Sequence, residues 1–296
     1  MSVPASLRAL LEHSIDYAGM FPPCSLELEP ALQNQAGYVR DADAWMLSTF
    51  VLPVAKFVEA SKSVSQFDAQ HPLRISALGP KTNAASEFMA ALKRAAETIR
   101  AFAKEHVDLV AVSQLEMPLA QDVDLAEAKT VLDDLDLRVF WETSADAAAS
   151  TITSLPKPYG YKLRTGGVTA DAFPTSAQIA TALVTAAKHR VPIKFTAGLH
   201  HPVRMFRDEV KTKMHGFLNV LGAAVLAFEH GWDEKPAITM LEDEEAKSFS
   251  FDDNGFAWRE WKIDNERIAA HRKFVTSFGS CSFNEPREDL RALGIL

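Results

Sequence analysis

The sequence predicts a closed (β/α)8 barrel with an extension between its seventh and eighth strands. Three observations carry that reading. Eight short apolar, β-branched-rich runs alternate with longer Ala/Leu/Glu/Lys-rich stretches, the pattern of βαβ units around a parallel sheet. The chain's 296 residues suffice for one such barrel with insertions. Two lysines, Lys162 and Lys194, end two successive runs just before small-residue turns, where barrels of this kind build their active sites. An open doubly wound sheet is the alternative architecture.

In order, the runs are Ser14–Ala18, Thr49–Pro53, Leu73–Leu78, Val107–Val112, Leu137–Thr143, Gly160–Arg164, Val191–Thr196 and Phe274–Ser280. Ala84–Glu105 spaces its apolar residues at the helical period, and Ser176–His189 follows Pro174 and Thr175, a plausible helix start. Between the last two runs lie about 75 residues, where one helix and two short loops would be enough. Here the sequence predicts a helix over Val210–His230, a further segment at Ala237–Leu241 and a hairpin over Ser248–Trp261. Asn254-Gly255 between alternating aromatics is the hairpin signal. This extension, about 210–265, is read as an insertion covering a barrel end. No internal repeat or low-complexity linker divides the chain, so residues 1–296 are read as one domain.

Hydrophobic residues make up 47% and charged residues 24% of the chain, ordinary proportions that set aside disordered and fibrous classes. A net charge of −8 with no Lys/Arg stripe argues against a nucleic-acid partner. No apolar run approaches the ~20 residues of a membrane span. The opening Met-Ser-Val-Pro-Ala-Ser-Leu-Arg lacks the basic-then-apolar pattern of a secretory signal. Cys24 and Cys281 stand far apart without metal-ligand spacing, which fits a reducing compartment. The expectation is a cytoplasmic protein acting on a small molecule, with neither nucleic acid nor membrane as partner and a homo-oligomer allowed.

A buried lysine is costly, because its ammonium must be paired or its pKa must fall. Lys162 and Lys194 in neighbouring strands are expected to depress each other's pKa, one way to make an amine that attacks a carbonyl. The competing reading is a pair of interior lysines balanced by carboxylates. Residues two apart in a strand share a face, so Arg164 accompanies Lys162 and Thr196 accompanies Lys194. Arg164 suits a planar carboxylate or a phosphate. Thr165, Gly166 and Gly167, with Ala197 and Gly198, offer backbone donors to an anion.

Asp108 opens the fourth run and is placed beside the lysines as a proton shuttle, against an even alternative of a loop-capping aspartate. Glu142 ends the fifth run, where it could pair with a lysine, and Glu116 is a weaker candidate of the same kind. His200 and His201, with Glu142 and His215, invite a metal hypothesis. Adjacent histidines face different sides of an extended chain, however, so substrate binding or packing is favoured for them over metal ligation. Gly279 and Ser280 in Phe278-Gly-Ser-Cys-Ser-Phe283 could grip an oxyanion. The alternatives there are a tight turn and, for Cys281, a small packing residue.

Taken in order, these segments resemble the deoxyribose-phosphate aldolase family of Schiff-base aldolases. Ile15-Asp16-Tyr17-Ala18-Gly-Met-Phe-Pro22 is similar to that family's Ile-Asp-His-Thr-Leu-Leu-Lys-Pro, and Val107-Asp108-Leu-Val to its Val-Asp-x-Val. Arg138-Val-Phe-Trp-Glu142-Thr143 is similar to Lys-Val-Ile-Ile-Glu-Thr, and Tyr161-Lys162-Leu-Arg-Thr165-Gly166 to Ile-Lys-Thr-Ser-Thr-Gly. Ile193-Lys194-Phe-Thr-Ala197-Gly198 resembles Lys-Pro-Ala-Gly-Gly, and Phe278-Gly279-Ser-Cys-Ser282 resembles Phe-Gly-Ala-Ser-Ser. The resemblance spans nearly the whole chain. It implies Lys162 as the Schiff-base lysine, Lys194 as the group lowering its pKa, Asp108 in proton transfer and the last segment on a phosphate. Leu163 and Arg164 replace the family's Thr and Ser, the paired glycines after Lys194 are missing, and His200-His201-Pro202 follows. These departures fall where the aldehyde and phosphate would sit. The chain also resembles a broad group of bacterial proteins with Ile-Asp-Tyr-Ala-Gly-x-Phe-Pro-Pro openings and Thr-Ala-Gly-Leu-His-His-Pro segments.

The function expected is a class I aldolase-type lyase on a small anionic aldehyde or keto compound, phosphorylated or carboxylated, with no cofactor beyond the lysine imine. The alternatives are a metal-dependent hydrolase or lyase using His200, His201 and Glu142, and a barrel that binds a metabolite without turning it over.

Overall fold

The computed structural model describes residues 3–296. Met1 and Ser2, part of the segment read for a secretory signal, lie outside the described residues. The first strands are β1 (Ile15–Tyr17), β2 (Leu47–Pro53), β3 (Leu73–Leu78), β4 (Val110–Pro118), β5 (Arg138–Glu142), β6 (Gly160–Arg164) and β7 (Ile193–Thr196). They are followed by β8 (Met205–Arg207), β9 (Thr212–Met214), β10 (Phe249–Phe251), β11 (Gly255–Trp258), β12 (Trp261–Asp264) and β13 (Val275–Ser280). The helices are α1 (Ala5–Leu11), α2 (Leu28–Tyr38), α3 (Phe57–Ala60), α4 (Ala85–Glu105), α5 (Leu125–Leu132) and α6 (Ala148–Ser154). The rest are α7 (Ser176–His189), α8 (Phe217–His230), α9 (Glu234–Leu241), α10 (Asn265–His271) and α11 (Asn284–Ala292).

β1 to β7 run round a ring in sequence order, and β13 closes it between β7 and β1. Every ladder in the ring is parallel. This is a (β/α)8 barrel, and the open-sheet alternative is excluded. The third and sixth apolar runs coincide with β3 and β6. The fourth is displaced: β4 begins at Val110 and continues to Pro118, well past Val112. Ser113, Gln114 and Glu116 broke the apolar pattern, but the interior of this barrel is polar and the strand runs through them.

Local signals account for the helices. α4 buries Phe88, Leu92, Ala95, Ile99 and Phe102, a stripe at helical spacing. α7 begins with a capping box, in which Thr175 accepts from the Gln178 amide and the Gln178 side chain accepts from the Thr175 amide. It ends where Arg190 turns left-handed. α8 is buried from Phe217 through Ala227, because α7, α9, α10 and β13 pack around it.

The extension differs from its expected form. The stretch read as the start of a helix at Val210 is the turn and second strand of an antiparallel ribbon, β8 paired with β9, and the helix begins at Phe217. Gly216 precedes it with an extended backbone. The Asn254-Gly255 hairpin acquires a third strand, giving an antiparallel sheet in the order β10-β11-β12. That sheet packs on α1, with the Ser6 amide donating to the Asp252 carbonyl at 3.1 Å. α1 leads into the start of β1, so the sheet covers the end of the barrel where the strands begin. No helix among the described residues is long and apolar enough to cross a membrane.

Candidate active site

Barrel interiors are usually filled by branched apolar side chains. Here successive strands send polar groups inward: Asp16 from β1, Thr49 from β2, Ser76 from β3, Gln114 and Glu116 from β4, Lys162 from β6, Lys194 from β7 and Ser277 from β13. All are buried. Register explains their meeting. Glu142 is opposite Lys162 and Lys162 opposite Lys194 in adjacent parallel strands, so the three lie side by side in one layer.

The Glu116 carboxylate bridges the two lysines, with Oε2 2.8 Å from Lys162 Nζ and Oε1 2.5 Å from Lys194 Nζ. Lys162 also meets Glu142 at 2.9 Å, and Lys194 meets Asp16 at 2.9 Å. Lys194 donates to Gln114 Oε1 at 2.7 Å. Asp16 accepts from the Thr49 hydroxyl at 2.6 Å and the Ser277 hydroxyl at 2.5 Å, while Ser76 donates to Glu116 at 2.5 Å. Each buried charge is therefore paired and hydrogen-bonded, which burial requires.

The electrostatics reverse an expectation. Burial by itself would lower the Lys162 pKa, but Glu116 and Glu142 outweigh it and hold the ammonium above its ordinary value. Burial would raise the Glu116 carboxyl, and the two lysines overcome that, holding it far below the usual carboxylate range. Lys194 does not leave Lys162 partly neutral, because a shared carboxylate lies between them.

A cavity of ≈ 380 Å³ opens above this layer at the C-terminal ends of the strands. Lys162 and Glu142 reach its floor, and Arg164, Gly167, Thr196, Gly198, His200 and Gly279 line its wall. Glu142 is the carboxylate on the cavity side: its side chain is 19% exposed, against 2% for Glu116. Lys194, 1% exposed, lies beneath.

Other expected residues are elsewhere. Asp108 is in the exposed turn before β4 with φ 70°, at the end of the barrel away from the cavity. The carboxylates beside the lysines are Asp16, Glu116 and Glu142 instead. Thr165 faces away from the cavity and donates to the Thr196 and Ala197 carbonyls at 3.1 and 2.6 Å, tying two loops together. Gly166 does the same by close approach to Gly198. Ser280 is buried on the outer face of β13, where its hydroxyl donates to the Ser282 carbonyl at 2.7 Å.

The histidines separate. His200 Nδ1 lies 3.1 Å from Glu285, whereas His201 turns from the cavity to Asp289 at 2.6 Å. His215 sits between the Pro174 carbonyl and Arg204. With Glu142 committed to Lys162, these side chains do not converge, and among the described residues no group of three or more His, Cys, Asp or Glu is placed to hold a metal. Cys281 lines the cavity with its thiol 2.8 Å from that of Cys24. Burial first, then Cys24, pushes Cys281 up to about 12, so it stays protonated at neutral pH.

Asp16 and Gln114 entered no site prediction, and Glu116 only weakly. A period-two reading carried on through Gln114-Leu115-Glu116 would have put both polar residues on one face. Gly198 gives a separate expectation. Its φ is +74°, and a Cβ there would stand 2.9 Å from Gly166 Cα. Gly198→Ala should cost about 1–3 kcal/mol through the left-handed backbone alone, read by urea unfolding. An unchanged midpoint would mean the two loops part freely.

No family model matches the chain, and no curated protein matches it.

Proposed function

We propose that this barrel is a class I aldolase-type lyase, of the kind the deoxyribose-phosphate aldolases represent, with Lys162 forming an imine with a small anionic aldehyde or keto substrate. The observation that carries the reading is the placement of Lys162: an ammonium at the floor of the catalytic-face cavity, 2.9 Å from a carboxylate that also reaches the cavity. A lysine held protonated is no nucleophile. Glu142 supplies the way out, because it can take the proton when a carbonyl displaces water from the floor.

The steps then balance. Glu142 accepts one ammonium proton, and the amine adds to the carbonyl carbon. Proton transfer from nitrogen to oxygen gives the carbinolamine. Glu142 returns its proton to the hydroxyl, water leaves, and an iminium remains. Glu142 next removes the proton of a hydroxyl β to the iminium carbon. The adjacent carbon–carbon bond breaks, its electrons enter the iminium, and an aldehyde departs. The enamine left behind takes the proton back on carbon, and water hydrolyses the iminium to regenerate Lys162. Glu116 stays ionised throughout and offsets the iminium charge, while Lys194, fixed by Asp16 and Gln114, keeps it ionised. The lysine itself is the electron sink, so the scheme calls for no organic cofactor.

Borohydride trapping with short aldehydes and 2-keto acids, read by intact mass and peptide mapping, tests this. A reduced adduct on Lys162 is expected. Adducts confined to Lys81 or other exposed lysines, or none at all in folded protein, would sink the reading. Glu142→Gln should lower turnover by roughly 10²–10⁴-fold, the range of a lost acid–base group, while trapping at Lys162 persists and speeds up as pH rises. Turnover unchanged in that variant would remove Glu142 from the proton path.

A further inference from the structure

We propose that the compound taken by this cavity is an oxo acid with an apolar body, one carboxylate on Arg164 and its chain against the β1–β4 side. The proposal rests on the reading of Lys162 as the carbonyl-binding group and deepens it. The cavity is divided. Its charged and hydrogen-bonding wall comes from β5, β6 and β7 and the loops after them, whereas the opposite wall is built from Phe21, Pro22, Val51, Leu78 and Pro118. Lys81, exposed on the loop after β3, is the cation on that side and stands at the rim. A polyhydroxylated chain laid along this wall would lose its water and find few partners. An alkyl or aryl chain would gain by burial there.

The head group follows from β6. Arg164 is two residues beyond Lys162 on the same face, about 6.6 Å along the strand. It lines the cavity, is exposed, and pairs with no carboxylate among the described residues. Its planar fork fits a carboxylate in two parallel hydrogen bonds. A phosphate is disfavoured where such barrels commonly hold one, after the last strand. There the Asn284 and Glu285 amides at the start of α11 already donate to the Ser282 hydroxyl at 3.2 and 3.1 Å. The Glu285 carboxylate, paired with His200, adds negative charge beside them.

Titration calorimetry with non-reacting ligands tests the class without requiring an imine. Hexanoate is expected to bind at least tenfold tighter than acetate and than hexyl phosphate. Arg164→Gln should weaken hexanoate at least tenfold, and Leu78→Asn should weaken hexanoate while leaving acetate within twofold. Preference for hexyl or inorganic phosphate, equal binding of acetate and hexanoate, no binding of hexanoate, or indifference to Arg164→Gln would each overturn the proposal. Borohydride trapping with 2-oxohexanoate is the companion measurement. If hexanoate binds as stated and 2-oxohexanoate leaves no adduct on Lys162, the imine reading fails and the ligand class stands. If pyruvate traps on Lys162 but hexanoate does not bind, the reverse holds.

Discussion

Lys162→Met is expected to abolish turnover, with a loss on the order of 10⁵-fold or more, as removal of a covalent nucleophile does elsewhere. The same variant should give no borohydride adduct in the cavity. It also leaves Glu142 with no cation and Glu116 with Lys194 alone, so some loss of stability will accompany the loss of chemistry. Lys162→Arg separates the two effects. A guanidinium keeps the positive charge facing both carboxylates but cannot form an imine at neutral pH, since it is not deprotonated. It should therefore be as inactive as the methionine variant while unfolding closer to the parent in urea. Turnover within tenfold of the parent in either variant would remove Lys162 from the chemistry, whatever the stability.

The largest expected effect on stability belongs to Glu116→Leu. The substitution removes the carboxylate between two buried ammonium groups, leaving Lys194 with Asp16 and Lys162 with Glu142. Each ammonium keeps one carboxylate, so the cost is that of the two charge-assisted hydrogen bonds removed, about 1.5–3 kcal/mol each, which for a chain of this size lowers Tm by roughly 1.6 °C per kcal/mol.

The pH dependence has a definite sign. Glu116 is depressed in the folded protein, so its contribution is complete above its unfolded value of about 4.5 and drains away as pH falls toward the lower folded value. Lys162 is raised, so its contribution is complete below its unfolded value of about 10.5 and is lost as pH rises through the higher folded value. The contribution of this pair to stability should thus be level between those limits. Glu116→Leu should lie below the parent and lose less on acidification. Urea unfolding across pH gives both quantities, and an acid limb unchanged by the substitution would mean that other carboxylates govern it.

Some of the site was legible before the fold was known. Lys162 and Lys194 occupy equivalent places at the ends of successive runs, and parallel strands in register bring equivalent places together. Arg164 and Thr196 followed from a period of two. Asp108 misled because a Val-Asp-Leu-Val sequence resembles a strand start, whereas here the aspartate turns left-handed in the preceding turn and the strand begins beyond it. Glu116 carries little weight in the sequence because the apolar run ends at Val112, four residues before it. Asp16 lay in plain view between Ile15 and Tyr17 but had no visible partner, since its contacts come from β2, β7 and β13, far off in sequence.

The sequence by itself determined the alternation of strands and helices, the capping of α7, the Asn-Gly turn and the pairing of two lysines on neighbouring strands. All of these depend on residues close together in the chain or on a repeated local pattern. Only the closed ring decided the protonation of Lys162, the rank of Glu142 over Glu116 as the carboxylate in the cavity, and the division of that cavity into apolar and charged walls. Those properties depend on which side chains face one another across the barrel, and Coulomb interaction and burial act through space, not along the chain.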